Sequence, residues 1–490
     1  MKYVILIAVL LGWPAAGLGQ EPRLPATLSL DDAIAIARQH NPTYRQAAND
    51  RSPAAWRVRN AWSAMMLPSV SAAGGMSYTG PGEQTFLTSS FEQDVSTRSS
   101  YYDLSLNWQF SGATLSQPGL ARAQQRAADA DVLGAERTLV AAVTQQYLTV
   151  LQAIENTEVA RKQLERNEEF LKLAQARYDV GRSSLIDVRQ AQVARGQAAV
   201  GLLRAETAMR VEKLRLFQQL GTVAPVDVGQ VQLSDTFPVT RPGLELDALL
   251  DLAAQHNPAL NALRARETAA AWGVRAATSS YGPALSFSAG WSGFTQAFTN
   301  LQPVIAQGRL LASADSASCE YRNTAWLNDP ALALPCTGFT PADEARLRSR
   351  NSQYPFDFTR QPFQARLTVS LPLFTNFSRP LRVSEAKEQE GDLEEAVRAR
   401  GLAVHTEVSE AYLNLQTAHR TIGIQDTNRT AAGEQLQLAT ERYRVGSGTF
   451  FELLDAQVAA LRAEFDYVSA VYDYHRAVAA LEAAVGRPLR

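Results

Sequence analysis

The stretch LSLDDAIAIARQHNP, Leu28 to Pro42, is written a second time as LELDALLDLAAQHNP, Leu244 to Pro258, with Asn41 and Asn257 standing 216 positions apart. Trp56 and Trp272 keep that offset. Further along, ARYDVGRSSLIDVRQAQ (Ala176 to Gln192) returns as ERYRVGSGTFFELLDAQ (Glu441 to Gln457), and here Gly181 and Gly446 are 265 positions apart, as are Tyr147 and Tyr412. The chain therefore reads as one unit written twice. The second offset exceeds the first by 49 residues, so the second copy carries an insertion between Trp272 and Tyr412.

Inside each copy the period of the apolar residues changes twice. After Pro68, Val70, Ala72, Gly74, Met76 and Tyr78 alternate with small or polar residues, and Leu104, Leu106, Trp108 and Phe110 do the same. The second copy answers with Leu285, Phe287, Ala289 and Trp291, and then with Phe363, Ala365, Leu367, Val369, Leu371 and Leu373. Alternation of this kind predicts strands with one apolar and one polar face, over about 69–79, 101–110, 284–292 and 363–373. Runs of roughly 10 residues suit a tilted membrane-crossing strand. A soluble sheet with one wet face is the alternative. Four strands are too few for a membrane barrel, which starts at about eight, so several copies would have to share one. Three copies would bring twelve.

The rest of each copy is helical. From Gly119 to Val180 there is no Pro and a single internal Gly at 134, and Val140, Val143, Tyr147, Val150 and Ile154 keep the 3-4 spacing of a coiled-coil seam. Such a run would extend roughly 90 Å at 1.5 Å per residue. It breaks at Val180-Gly181, a spacing suited to a glycine C-terminal cap, and a second helix follows to about Leu220. The plan repeats over about 381–485, turning at Val445-Gly446. The expected domains are a first repeat over 20–221 with a helical hairpin over about 119–220, a linker over 222–243, and a second repeat over 244–490. A long loop over about 293–362 holds the insertion.

Residues 1–19 have the form of an export signal: Lys2, an apolar run from Tyr3 to Leu11, then small residues at Ala15, Ala16, Gly17 and Gly19. The apolar run is short for a membrane helix, which needs about 18 residues. Export to an oxidising compartment predicts that Cys319 and Cys336, 17 positions apart, pair as a disulfide rather than remain thiols. With 47 basic against 49 acidic residues there is no electrostatic footprint for nucleic acid. Five His residues form no HExxH or other compact ligand pattern, and no phosphate-binding, nucleophile-elbow or dinucleotide motif is present. No cofactor, metal or catalytic residue is expected, and the protein reads as a non-enzyme.

The paired LxLxxAxxxAxxxNP openings and RYxVGxxxxxxxxxAQ turns, in this order and twice over, resemble the TolC family of bacterial outer-membrane efflux channels. The resemblance implies an α+β membrane protein acting as a homotrimer. Twelve strands from three chains would form a β-barrel in the outer membrane, continued by an α-helical barrel across the periplasm. It implies a passive exit duct for efflux or type I secretion, opened by a periplasmic adaptor and an inner-membrane transporter. By the RYxVG match it places pore-constriction carboxylates at Glu452 and Asp455, with Asp187 as the first copy's counterpart of Glu452, and a gate tyrosine at Tyr443. Adaptor contact falls on the tips at Val180, Gly181, Val445 and Gly446. Gly448 departs from members that carry an Arg there. The competing readings are a solvated helix face for Glu452 and Asp455, and an exported coiled-coil protein without a pore for the whole chain.

Overall fold

A computed structural model describes residues 27–86, 89–93, 95–240, 243–325 and 333–489; the expected export signal lies outside them. The first repeat opens with β1 (Thr27–Leu28), α1 (Leu30–His40), α2 (Pro42–Asn49) and α3 (Arg51–Met66). Strands β2 (Ser69–Thr79), β3 (Gly82–Phe86), β4 (Ser89–Gln93) and β5 (Thr97–Phe110) follow, then the helices α4 (Gly112–Asp179) and α5 (Leu185–Leu220). After β6 (Gln232–Leu233) the second repeat runs α6 (Leu246–His256), α7 (Pro258–Ser279), β7 (Ala284–Phe298), α8 (Gln302–Ala325) and α9 (Pro341–Asn351). It ends with β8 (Thr359–Arg360), β9 (Gln364–Ser370), α10 (Ser378–Val445) and α11 (Phe450–Val485). The first long helix of each hairpin has 68 residues and the second 36, in both repeats. At 1.5 Å per residue the longer ones extend about 100 Å. Helix α4 starts earlier than the uninterrupted run from Gly119, because it carries Pro118 near its N-terminal end.

Two compact units divide the chain: one takes in residues up to Arg51, Ala127–Arg264 and Glu395–Arg490, the other Ser52–Arg126 and Ala265–Glu394. The first unit holds two apolar cores that are copies of each other. Ala33, Ala37, Val143, Leu216 and Leu220 form one, and Leu249, Ala253, Val408, Leu481 and Val485 take the equivalent places in the other.

The duplicated opening motif has a structural explanation here. Asn41 caps α2, its Oδ1 accepting from the Tyr44 N–H at 3.0 Å, while its Nδ2 donates to the Gln219 carbonyl near the end of α5 at 2.8 Å. Asn257 repeats both bonds, to the Leu260 N–H and the Ala484 carbonyl, each at 3.1 Å. Gly221 and Gly486, which end α5 and α11, sit at φ +73° and +87° against the His40 and His256 carbonyls; a Cβ on either would lie 2.5 or 2.7 Å from that oxygen. The turn at each His-Asn-Pro thus belongs to the Asn amide and to the close-packed glycine. The hydroxyls of Tyr147 and Tyr412 donate to the Leu28 and Leu244 carbonyls and pin the start of each repeat. Two contacts tie the linker down: β6 pairs in parallel with β1, and the buried Lys213 ammonium of α5 donates to the Gly229 and Val231 carbonyls.

The second unit is built on an antiparallel sheet in the order β2-β5-β7-β9, with β8 pairing β7 beyond β9. Strands of the two repeats are joined: β5 pairs with β7 along its whole length. Register aligns the alternation across all four strands. Val70, Leu106, Ala289 and Ala365 fall in one row, and Leu104 meets Ala72 and Trp291. The opposite face aligns Ser71 with Ser105 and Ser77 with Ser99, whose hydroxyls lie 2.8 and 2.7 Å apart. Leu367 and Val369 are about two-thirds exposed, so the apolar face is uncovered. The outer edges of β2 and β9 are unpaired among the described residues.

The block over 293–362 differs from the long loop expected. It carries the end of β7 (which runs to Phe298), α8, α9 and β8. Thr340 and Asp343 close a capping box at the start of α9, with Pro341 at its first position. Asn351 exchanges hydrogen bonds with the Phe298 backbone at 2.6 and 3.1 Å. Cys319 on α8 is joined to Cys336. Helix α8 carries five Ala and three Ser but lacks a clear apolar period, which is why no helical face announces it in the sequence. A short hairpin, β3–β4, lies between β2 and β5 in the chain and forms its own two-stranded sheet.

Candidate functional site at the hairpin tips

Both helical hairpins turn on a left-handed glycine, and the two turns share their chemistry. In the first, Gly181 (φ +73°) donates to the Tyr178 carbonyl and Arg182 to the Arg177 carbonyl, each at 2.8 Å, the paired bonds of a Schellman cap. In the second, Gly446 (φ +89°) and Ser447 donate back to Tyr443 and Arg442. The next helix starts on a hydroxyl in each case: Ser184 accepts from the Asp187 N–H and Thr449 from the Glu452 N–H, both at 3.2 Å. Val180 and Val445 stand exposed at the tips, with Ile186 and Phe451 beside them.

The carboxylates diverge between the repeats. Asp187 turns back to accept from the Ser184 N–H, closing a capping box, so its charge is partly spent on the helix start. Glu452 reaches instead across the turn to Arg442, whose guanidinium lies 3.4 Å away, in an exposed ion pair. Such a pair contributes only about 0.2–1 kcal/mol. Asp455 follows one helical turn on and is exposed; Gln190 stands at its place in the first repeat.

Tyr443 sits where the two hairpins meet. It is buried, with Ala174, Val188 and Ala191 of the first hairpin and Phe450 and Leu453 of the second around it. Its ring meets Phe450 edge-on at 5.5 Å, and the Arg177 guanidinium stacks on it at 4.5 Å. Burial pushes the phenol up from its ordinary value, and the nearby Asp187 adds to that, while Arg177 opposes it. The hydroxyl therefore remains a neutral group at neutral pH. The arginines were the residues that motif reading passed over: Arg177 and Arg442 are the R of RY in both copies, and each Nη2 donates across its own tip, to the Arg182 and Ser447 carbonyls. Position immediately before the tyrosine was the available signal.

Among the described residues no three His, Cys, Asp or Glu side chains are gathered to hold a metal, and no helix is long and apolar enough to cross a membrane. The outer membrane efflux protein family matches the chain over residues 33–222 and 340–487, well over half its length.

The chain belongs to the outer membrane efflux protein family.

The match skips residues 223–339, a gap that takes in both Cys319 and Cys336. Outer membrane protein TolC of Vibrio cholerae is 24% identical over 264 residues, 52% of this chain and 56% of that protein. The alignment thus spans little more than half of that relative. Among solved structures, the outer membrane protein VceC of Vibrio cholerae superposes with a TM-score of 0.66 at 18% identity, covering 94% of this chain and 97% of the other. The CmeC outer membrane channel of Campylobacter jejuni gives 0.68 at 14% identity, covering 93% and 85%. The likeness shows that the chain shares the fold of these two proteins. As a family member the chain is an outer-membrane protein with a periplasmic helical part.

Proposed function

We propose that three copies of this chain form the exit duct of an efflux or type I secretion system, with twelve strands closing one barrel and the helical hairpins closing a second, periplasmic one. The observation that carries this reading is the sheet: four antiparallel strands with a continuous uncovered apolar face, a polar opposite face and two unpaired edges. A coiled-coil protein without a pore has no use for that arrangement. The apolar face would meet lipid and the polar face the lumen, and joining edge to edge satisfies the open backbone groups. The duct is passive. A periplasmic adaptor would engage the tips at Val180, Gly181, Val445 and Gly446, and an inner-membrane transporter would supply the work. Light scattering in mild detergent should give a trimer mass, and the purified protein should conduct ions across a planar bilayer. A monodisperse monomer without conductance would remove the proposal.

Within the duct, Glu452 and Asp455 would ring the narrow mouth, six carboxylates in three-fold symmetry, with Tyr443 and Asp187 at the seam behind them. Converging carboxylates draw cations and repel anions. Glu452→Ala/Asp455→Ala should lower cation selectivity, read as a reversal potential under a salt gradient, without changing the trimer mass. Arg442→Ala should move it the other way, because it removes the positive charge that pairs with Glu452. Identical reversal potentials in all three proteins would leave these residues as an ordinary solvated helix face.

A further inference from the structure

The polar face of the sheet changes character at one row. Register sets Gly75, Tyr101, Phe294 and Thr359 side by side across β2, β5, β7 and β8. The next row toward the helices holds Ala73, Asp103 and Ser292, and the row on the other side holds Ser77, Ser99 and Gln296. Tyr101 is 52% exposed and Phe294 48%, so two large rings stand bare on a face otherwise built mainly of hydroxyls and amides. Gly75 makes the room for them, because a Cβ there would lie 2.7 Å from the Tyr101 ring. Residues directly opposed on antiparallel strands hold their Cβ atoms about 4.5–5.5 Å apart, so the two rings form one platform.

A charge stands beside the platform. Asp103 follows Tyr101 on the same face of β5, about 7 Å along the strand. Among the described residues of β2, β5, β7 and β9, the other charged residue on this face is Arg366, opposite Ser288, whereas Asp103 is opposite Ser292. Those rows are about 13 Å apart, too far for an ion pair. A trough of about 610 Å³ runs between them over Ser105, Asn107 and Ser288. The carboxylate therefore belongs to the aromatic end of the trough and the guanidinium to the other.

We propose that Tyr101, Phe294 and Asp103 form a binding site for planar aromatic cations, one site per copy, on the lumen wall of the duct. The inference rests on the duct reading, which turns this face inward. A flat ring gains by stacking on the platform, a cation gains from the ring faces, and the carboxylate favours a positive charge beside them. An aromatic anion meets repulsion from Asp103, and a cation without a ring leaves the platform unused. Tyr101 lies nine residues before Phe110, the helix end of β5, or about 30 Å along the strand, so the site is near the outer mouth. Twelve strands about 4.8 Å apart and tilted about 40° close at a backbone diameter of roughly 24 Å, so three such sites narrow the lumen without sealing it.

The test uses the full chain in a planar bilayer and (2-naphthylmethyl)trimethylammonium as the probe. Tetramethylammonium is the cation without a ring, and 2-naphthalenesulfonate the ring with the opposite charge. The probe should reduce the open-channel current, and both controls should need at least about ten-fold higher concentrations for the same reduction. Tyr101→Ser/Phe294→Ser, which continues the serines at 99 and 292, should raise the half-blocking concentration about ten-fold through the loss of two aromatic contacts. Asp103→Asn should raise it about three-fold at low salt and less at high salt. Gly75→Val displaces the Tyr101 ring without removing any aromatic or charged group and should also weaken the block; it carries the test if the double variant does not assemble. Trimer mass certifies every variant. Glu452→Ala/Asp455→Ala should leave the block unchanged. A block lost in that variant but kept in Tyr101→Ser/Phe294→Ser, equal block by all three solutes, or a conducting wild type that the probe does not block would each overturn the site and leave the duct standing. A wild type that conducts no ions removes the duct and this site with it.

Discussion

Gly221→Val is expected to destabilise the folded chain by about 3–5 kcal/mol, whereas Gly181→Val, at the same φ of +73°, should lose only about 1–2 kcal/mol. The two positions separate conformational strain from crowding. A Cβ at Gly181 meets nothing within 4 Å, so the substitution carries the left-handed backbone penalty alone. At Gly221 the same penalty is joined by overlap with the His40 carbonyl at 2.5 Å and the Asn41 Cα at 2.7 Å. Relieving that overlap pulls α5 off the turn and breaks the bond from Asn41 to the Gln219 carbonyl, itself about 0.5–1.5 kcal/mol. Denaturant melts of both variants, followed by circular dichroism in one detergent, read the difference. Equal losses would show that the close approach is not what requires glycine there.

Neighbouring substitutions on β5 should have opposite consequences. Leu104→Arg puts a charge on the apolar face, which costs about 2–4 kcal/mol per copy near the middle of a bilayer. Ser105→Arg points to the other face, where Ser71 and Ser105 share a hydrogen bond. The first should deplete assembled protein from outer-membrane fractions several-fold. The second should assemble at wild-type levels and shift conductance toward anions. If both assembled alike, the apolar face would not be the lipid-facing one.

Much of this architecture could be read from spacing because period and repetition are properties of the chain itself. The alternation at Val70–Tyr78 and Leu104–Phe110 announces strands, and Gly181 and Gly446 announce turns, without knowledge of any partner. Long-range contacts carry no such mark. Asn41 is visible as a helix break, but its bond to Gln219 joins residues 178 apart. Glu452 and Asp455 can be placed on one helical face by counting, whereas the ion pair with Arg442 exists only because the Gly446 turn folds α10 back on α11. Ser184 and Asp187 do carry the local pattern of a capping box, and it assigns the Asp187 carboxylate a helix-capping duty before any gating one. Helix α8 escaped because it carries no apolar stripe: Ile305 is its one buried residue.

The open edges of β2 and β9 also set a kinetic problem. In the proposed assembly each copy would offer two different edges that are unpaired among the described residues, so pairing would be head-to-tail, and head-to-tail addition ends only when the accumulated rotation brings the last edge back to the first. Until then every partial assembly is a growing end. Ring closure within one assembly is independent of concentration, whereas capture of a further copy rises with it. Rapid overproduction should therefore yield ladders of open oligomers where slow synthesis yields closed rings.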